Sequence, residues 1–567
     1  MNFLYARVAC FSIWVAGGLL GCARLHPQQS LGGKLGSVFV PLSLKSQKMI
    51  LVADTNRDGM VDNNDIVGKQ FANLKHGALL FANNDDSDSD GLPDAEDDII
   101  NGSEDLKDLS HVALQVEQQY VGVSQVALNI NPEAAPYVRI FYKSEEGWKK
   151  LASGEKTVSI SSEQIEFALE AKQVVDENWD GSAFLNAILL DYKGSQIEQD
   201  SVQFQVSPWI MLSNIAPVQK FFMRDLGDLN SEFIQQIKDV LLPLNVEVQV
   251  APPTDIWQDK WMQDTMEIGY STVVNSDGPR AVPVVLRGNR ADGADLFART
   301  LLAPGFGFFT RGEPRALSDE DRWADWYGNL EVTPALKDYP LGRFYYGNSG
   351  TAAMHSAVVS MLNSQKLQGP GVAIDTSWLF IRHVDEIVSF IPGDTDKPLM
   401  LITSPGEGIK VLQAAAAEGA GDEEANRGYS THATVRELLA DQQFVAHNVS
   451  LQKNKIEPII EQLMEEFSLD ASQVVRIPAL MNTEGDSWMP NMVNSQFVNG
   501  HILVSNPRGP MVNGVDIMQR EFLSRVAASK SVVHFVNDEV YQNGKGNTHC
   551  ATNAVRRPQR AAFWNQY

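Results

Sequence analysis

Four side chains of this chain could together carry out nucleophilic chemistry at a cationic carbon: Asp264, His383, Asp385 and Cys550. Cys550 lies in the polar tract Gly544-Lys545-Gly546-Asn547-Thr548-His549-Cys550-Ala551-Thr552-Asn553. A thiol beside an imidazole and near a lysine ionises more readily and becomes a nucleophile. The commoner fate of a lone cysteine is burial as a small inert hydrophobe. Two aspartates suit a planar, forked cation, because a guanidinium pairs bidentately with carboxylates and leaves its central carbon open to attack. In that reading the Cys550 thiolate adds to the carbon, and His383 protonates departing ammonia and then deprotonates the hydrolytic water. His383-x-Asp385 alone is weak, since alternation along a strand puts many such pairs on one face. A second reading is another Cys/His hydrolase of protease or transglutaminase type, which needs a Cys–His pair and an orienting polar group but no carboxylate clamp.

Oxygen-rich loops form a second chemical feature. Asp54-Thr55-Asn56-Arg57-Asp58-Gly59-Met60-Val61-Asp62-Asn63-Asn64-Asp65 places oxygen ligands at positions 1, 3, 5, 9 and 12, with Gly59 sixth. Ca²⁺ takes six to eight oxygens, and this spacing wraps them around one ion. Asp86-x-Asp88-x-Asp90-Gly91-Leu92-Pro93-Asp94-x-x-Asp97 repeats the design, with Asp at position 12 in place of the EF-hand Glu. A solvated acidic linker would explain the charge. It would not explain the glycines or the spacing, found twice. These loops keep a third reading open, a calcium-binding surface protein without catalysis.

The elements that must position these residues fall into two textures. The region 46–207 is β-like, with the apolar run Met49–Ala53 and the alternating Val202–Ser207 before Pro208. We read it as a calcium-binding β-sandwich. Region 208–567 alternates helices and strands, beginning with a helical stripe over Ser231–Leu242 capped at Asn230 or Ser231 and ended by Pro243. A strand through Val246, Val248 and Val250 follows, and the same order returns as helix Met518–Ala528 and strand Val532–Val536. Fourteen residues separate Val250 from Asp264, and Val536 from Cys550. A third unit places a helix near Ala353–Leu362 and a strand near Val372–Ile374 ahead of His383. The spacing predicts a pseudo-symmetric α/β region aiming its loops at one centre.

At 567 residues the chain exceeds a single core, and a net charge of −25 argues against nucleic acid as a partner while suiting cationic substrates or metal ions. Residues 1–22 read as a secretory signal: Arg7, then the apolar stretch Val8–Leu20, too short to span a bilayer. Its end, Leu19-Leu20-Gly21-Cys22, looks like a bacterial lipobox whose Cys22 carries the lipid, and 23–45 reads as a tether. The expectation is an exported cell-envelope lipoprotein that contacts the membrane through that anchor and has no disulfide.

The chain closely resembles the protein-arginine deiminases through Trp261-Met262-Gln263-Asp264-x-Met266-Glu267-Ile268-Gly269-Tyr270, Gly328-Asn329-Leu330-Glu331-Val332, His383-Val384-Asp385-Glu386-x-x-Ser389-Phe390 and His549-Cys550-x-Thr552-Asn553. Pro340-Leu341-Gly342-Arg343, Pro490-Asn491-Met492-Val493-Asn494, Gly77-Ala78-Leu79-Leu80 and Ser103-Glu104-Asp105-Leu106-Lys107-Asp108 also match. The resemblance implies an immunoglobulin-like β-sandwich followed by a pentein α/β-propeller, and calcium-dependent conversion of arginine, in proteins or peptides, to citrulline and ammonia. It implies that Asp264 and Asp385 hold the guanidinium, that His383 is the acid/base and Cys550 the nucleophile, and that Trp261 lines the arginine stem, with Arg290 also on the substrate. It places calcium on Gln263, Glu267, Glu331 and the backbone of Tyr327 and Leu330. Further ions fall near Asn83, Asp85, Asp94, Asp97, Asp105 and Asp108, and on Asp54, Asn56, Asp58 and Asp62. Thr265 stands where the family has an acid that binds a second catalytic-region calcium and Arg287-Gly288 where that site has Asp-Ser, which implies that this ion is missing; Gly305 replaces another family aspartate, and Asp292 falls about where the family has a substrate-gripping arginine. The family's first domain is replaced by the short tether.

The lipobox reading predicts a lipidated Cys22 as first residue of the mature protein, lost in Cys22→Ala. Mass spectrometry of the mature N-terminus checks this; an unmodified Cys22, or cleavage elsewhere, rejects it.

Overall fold

The computed structural model describes residues 39–566 except 41, 152–156, 254–259, 292–295, 320, 395–396 and 430–431. Cys22, the signal segment, most of the tether and Asp292 lie outside the described residues. Among the described residues no helix is long and apolar enough to cross a membrane.

Two five-stranded sheets make up the β-rich N-terminal region. One runs Met49–Ala53, Ser110–Val116, Gln164–Ala171, Val138–Ser144, Gly147–Lys150; the other runs Ala78–Leu80, Gln196–Val206, Ser182–Leu190, Gln125–Ile130, Thr157–Ser159. Ser182–Leu190 and Gln196–Val206 alternate buried and half-buried positions, so Leu185, Ala187, Val202 and Phe204 fill one face. The opposing sheet answers with Leu51, Leu114, Phe167 and Leu169. Met49–Ala53 lacks alternation because both of its faces are covered: Ile50 and Val52 pack beneath Phe39, Leu42 and Val61.

Beyond this sandwich, five sheets share one plan among the described residues. In each, a middle strand pairs antiparallel on one side and parallel on the other: Val218–Arg224 between Thr552–Arg556 and Glu247–Ala251, for example, and Phe344–Asn348 between Leu330–Val332 and Val372–Asp375. The others are centred on Gly278–Arg287, Leu399–Ser404 and His501–Ser505. A parallel step requires a crossover. Here it is a helix every time: Ser231–Leu241, Leu296–Arg299, Ser356–Ser364, Ile517–Arg525, and a run from Pro405–Ala417 to Glu457–Glu466. After each parallel strand the chain turns inward. These five loops deliver Asp264, Gly328, His383, Asn494 and Cys550. The equal fourteen-residue spacings are thus two of five inward turns, and the unit ahead of His383 is a third; the remaining two escape the eye because their crossovers are one helical turn and four helices.

Local details adjust the sequence reading. Asn230 sits at the N-cap of Ser231–Leu241, but its side chain does not cap: it donates to Arg224 O and Tyr541 Oη, tying the first repeat to the last. His383 and Asp385 lie not on a strand but on a tight 3-10 turn, Val384–Glu386, which explains why both reach the centre.

The sandwich meets the repeats at the hairpin Met266–Asn275 with Gly278–Arg287 and at the neighbouring strand Gly307–Phe309. Arg280 pairs with Asp108, Phe308 N donates to Asn84 O (2.9 Å), and Gly305 N donates to Asp85 Oδ2 (2.8 Å). Gly59 has φ +88°, and a Cβ there would lie 1.8 Å from Asn275 O, so the first oxygen-rich loop sits flush on the hairpin turn. Gly91, the matching residue of the second loop, has φ +89° with nothing within 4 Å. Both alanine variants bear the left-handed strain, about 1–3 kcal/mol, but only Gly59→Ala adds a backbone clash. Denaturant unfolding is expected to show Gly59→Ala clearly less stable than Gly91→Ala; equal losses would refute the docking.

Candidate active site

Gly328 marks the centre. A Cβ on it would lie 2.6 Å from His383 Nδ1, 2.8 Å from Asp264 Oδ1 and 3.2 Å from Asp385 Oδ2, so side chains from separate inward loops converge on one point. Asp264 is positioned by the Gly328 N–H (3.1 Å) and stands 3.5 Å from His383 Nδ1. His383 is fully buried, and its Nε2 lies 2.9 Å from the Trp323 carbonyl. A carbonyl only accepts, so Nε2 donates there, and Nδ1 faces the centre. Cys550 Sγ donates to Asp385 Oδ2 at 3.2 Å. Trp261 packs in the cluster that holds Cys550, and Arg290 is buried with its guanidinium 4.1 Å over Trp326, close enough to Asp264 to favour its charge.

The thiol's surroundings differ from those read off its neighbours. Cys550 is only 4% exposed, and burial together with Asp385, Asp264 and Glu386 pushes the thiol well above its ordinary value. Neither expected activator faces it: Lys545 pairs with Asp486, and His549 Nδ1 lies 2.9 Å from Asp385 Oδ2 with Nε2 3.3 Å from Glu331 Oε1. Burial lowers His549, but Glu331 and Asp385 outweigh it and raise the imidazole. Asn494 does the positioning that the sequence reading assigned to no residue. Its Oδ1 accepts from the N–H groups of His549 (3.0 Å) and Cys550 (3.2 Å), while its Nδ2 contacts Cys550 Sγ (3.2 Å). The Pro490–Asn494 motif was the available signal for it.

Beside this centre lies a second set of oxygens. Gln263 Nε2 bridges Glu267 Oε2 (3.2 Å) and Tyr327 O (3.4 Å), and Glu331, on the strand that begins at Leu330, adds its charge to theirs. Burial, then Glu331, holds Glu267 well above the carboxylate range; burial, then Asp385, pushes Glu331 to about 7 against the pull of His549. Such a donor set suits a hard cation. The Thr265 hydroxyl donates to Met262 O (2.8 Å), and Arg287 lies near enough to Tyr327 to act on its hydroxyl, so a cation side chain and no carboxylate stand at 265 and 287. Arg556 balances the carboxylates from behind, donating to Asn214 Oδ1, Gln496 Oε1, Ala216 O and Phe497 O.

In the sandwich, Asn83, Asp85, Asp94, Asp105 and Asp108 are buried together, and Asn83 Oδ1 and Asp85 Oδ1 have no hydrogen-bond partner. Burial and their mutual repulsion raise Asp94 to about 8 and Asp108 to about 7. Glu170 joins them through Asn83, whereas Asp97 turns toward Asn101. Oxygens of Asp86, Asp88 and Asp94 gather within 4.8 Å of one another. In the first loop Asp54 receives the N–H groups of Asp58 and Gly59, Asn56 bonds Asp58, and burial raises Asp54 to about 7. Asp62 instead caps the turn Asn63–Ile66.

Paired carboxylates, an imidazole and a thiol around one point mark a guanidino-modifying hydrolase. Residues 196–565 match the model for "Protein-arginine deiminase (PAD)" and residues 48–191 that for "Protein-arginine deiminase (PAD) middle domain". The chain belongs to the protein-arginine deiminase family. It is 29% identical to protein-arginine deiminase type-4 of Homo sapiens over 97% of this chain and 87% of that one. It is 28% identical to human type-1 over 92% of this chain and 83% of the relative. Among solved structures, an agmatine deiminase of C. jejuni superposes with TM-score 0.38 at 12% identity, covering 63% of this chain and 99% of that one.

Asp54, Asp94, Asp108 and Glu331 hold protons in the fold up to about pH 7 or 8. The unfolded chain releases them near pH 4. The folded protein then binds more protons than the unfolded one across that window, so the metal-free protein loses stability as pH rises from about 4 to about 8. Calcium held by these carboxylates would compete with those protons and bind more tightly at the upper end. Thermal melts in chelator and in Ca²⁺ at pH 5 and pH 8 test this: the calcium-induced rise in Tm is expected to be larger at pH 8. An equal or larger rise at pH 5 would refute the assignment.

Proposed function

We propose that this protein is a calcium-dependent hydrolase of peptidyl-arginine, converting the guanidinium to citrulline with release of ammonia. The observation that carries the reading is the convergence of Asp264, His383 and Asp385 on one point, with Cys550 on Asp385. A guanidinium held between the two carboxylates neutralises the charges that keep the thiol protonated. It also displaces the hydrogen bond from Cys550 to Asp385. The thiol gives its proton to His383 Nδ1, the thiolate adds to the guanidinium carbon, and as the C–N bond breaks the imidazolium passes that proton to the departing ammonia. Water, deprotonated by the same imidazole, attacks the resulting thiouronium carbon, and cleavage of the C–S bond returns the thiolate and citrulline. A protease or transglutaminase has no use for the second carboxylate, and here the thiol donates to Asp385 rather than to His383.

Gln263, Glu267, Glu331 and the Tyr327 carbonyl would hold calcium beside the clamp, where its charge offsets two buried glutamates and fixes the loop bearing Asp264. The acidic loops of the sandwich would hold further ions. We also propose that the chain is exported and lipid-anchored at Cys22, the reading that its N-terminal sequence supports.

Arginine peptides incubated with the protein and Ca²⁺ are expected to show the mass shift of deimination, while lysine peptides stay unchanged. Cys550→Ser is expected to abolish turnover with the fold intact. Asp264→Asn and Asp385→Asn are expected to lose about 2–5 kcal/mol of transition-state binding, by analogy with truncation of a buried charge pair. Chelator removes activity, and Ca²⁺ restores it where Mg²⁺, which demands octahedral geometry, does so poorly. Full turnover by Cys550→Ser, or by protein shown to be calcium-free, would overturn the proposal.

A further inference from the structure

We propose that an aromatic cleft beside His383 is a subsite for an aromatic side chain one or two residues from the target arginine; this rests on the peptidyl-arginine reading. The cleft encloses about 670 Å³, and its walls include Trp323, Trp378 and Phe380. It adjoins the catalytic centre on two sides. Trp323, whose carbonyl holds His383 Nε2, also forms a wall of the cleft. Lys545, from the loop that carries Cys550, lies 3.6 Å over the Phe380 ring. The cleft therefore lies among the loops that deliver Gly328, His383 and Asn494, with Lys545 of the Cys550 loop against its Phe380 wall. In this proposal the arginine stem reaches the buried clamp past the Trp323 wall and leaves its peptide backbone at the rim of the cleft. At about 3.3–3.6 Å per residue, a neighbouring side chain falls over the cleft.

The chemistry of the walls selects the occupant. Phe380 is 37% exposed in a concave site, and Trp323 and Phe380 are 5.3 Å apart and inclined at 43°. Aromatic rings favour such offset and tilted neighbours beyond the area they bury. The nearby cations Arg382 and Lys545 are bound to Asp321 and Asp486, and Arg322 lays its guanidinium over Trp323 at 5.0 Å. Trp323, Trp378, Leu379 and Phe380 form the apolar part of the wall, with Ser377, Thr483 and Glu484 beside them. The cleft is also preorganised: Phe380 N donates to Gly485 O (3.1 Å) and the Trp378 indole to Asp375 O (3.0 Å), so little ordering is left for the substrate to impose.

The test compares capped peptides bearing one arginine and Phe, Ala, Asp or Lys one or two positions to either side, with citrulline read by mass spectrometry in Ca²⁺. At one or more of these positions Phe is expected to raise kcat/KM over Ala by on the order of tenfold, through KM. Phe380→Ala and Trp378→Ala are expected to erase that preference while converting a capped arginine amide, which has no flanking side chain, at the wild-type rate. Conversion of all peptides with equal kcat/KM, a preference for Asp, or a Phe preference that survives in both variants would overturn the subsite and leave the deiminase reading standing. Failure to convert any arginine substrate would overturn that reading itself, and the subsite with it.

Discussion

The active centre gathers five carboxylates, the buried Asp264, Glu267, Asp385 and Glu386 and the half-buried Glu331, and much of the surrounding structure answers that accumulation of charge. An unpaired buried carboxylate is among the most unfavourable groups a protein can contain. Some of these groups meet that by holding protons, as the raised Glu267, Glu331 and Glu386 show. The rest comes from cations brought in from distant parts of the chain: Arg290 toward Asp264, His549 between Glu331 and Asp385, and Arg556 behind Glu331 and Glu267. Burial pulls Arg556 down to about 10, and the two glutamates oppose that pull.

This arrangement makes the centre receptive to positive charge in two adjoining places. One lies between Asp264 and Asp385, shaped for a forked cation; the other is the oxygen set of Gln263, Glu267, Tyr327 and Glu331. His549 touches both, through Asp385 and through Glu331. One imidazole therefore ties the group proposed to clamp substrate to a group proposed to hold metal. The thiol shares in the same balance: burial and the neighbouring carboxylates keep it protonated, and a guanidinium held as proposed would offset that charge.

The sandwich belongs to the same electrostatic economy. Its acidic loops press on the hairpin whose first strand, Met266–Asn275, follows directly on Asp264, with Gly59 against Asn275 and Arg280 against Asp108. Charge in the sandwich loops and the position of the clamp are linked through two hydrogen-bonded strands.

How much of this was legible beforehand follows from the range of each interaction. The oxygen spacing of 54–65 and 86–97, the alternation of Val202–Ser207 and the helical stripe from Phe233 to Leu241 are local, and short windows of sequence contain them whole. The motifs around Asp264, His383 and Cys550 marked the chemistry, since few residue combinations handle a guanidinium. What only the tertiary structure decided is which charges meet. His549 stands next to Cys550 in sequence yet serves Asp385 and Glu331, Lys545 goes to Asp486, and Asn494 and Arg556 enter the site from remote repeats. Two of the five repeats stayed hidden because crossovers of one helical turn and of four helices share no spacing. Sequence by itself determined the reactive groups and their local frames. The folded chain determined their protonation, because desolvation and Coulomb forces act through space and register no order along the chain.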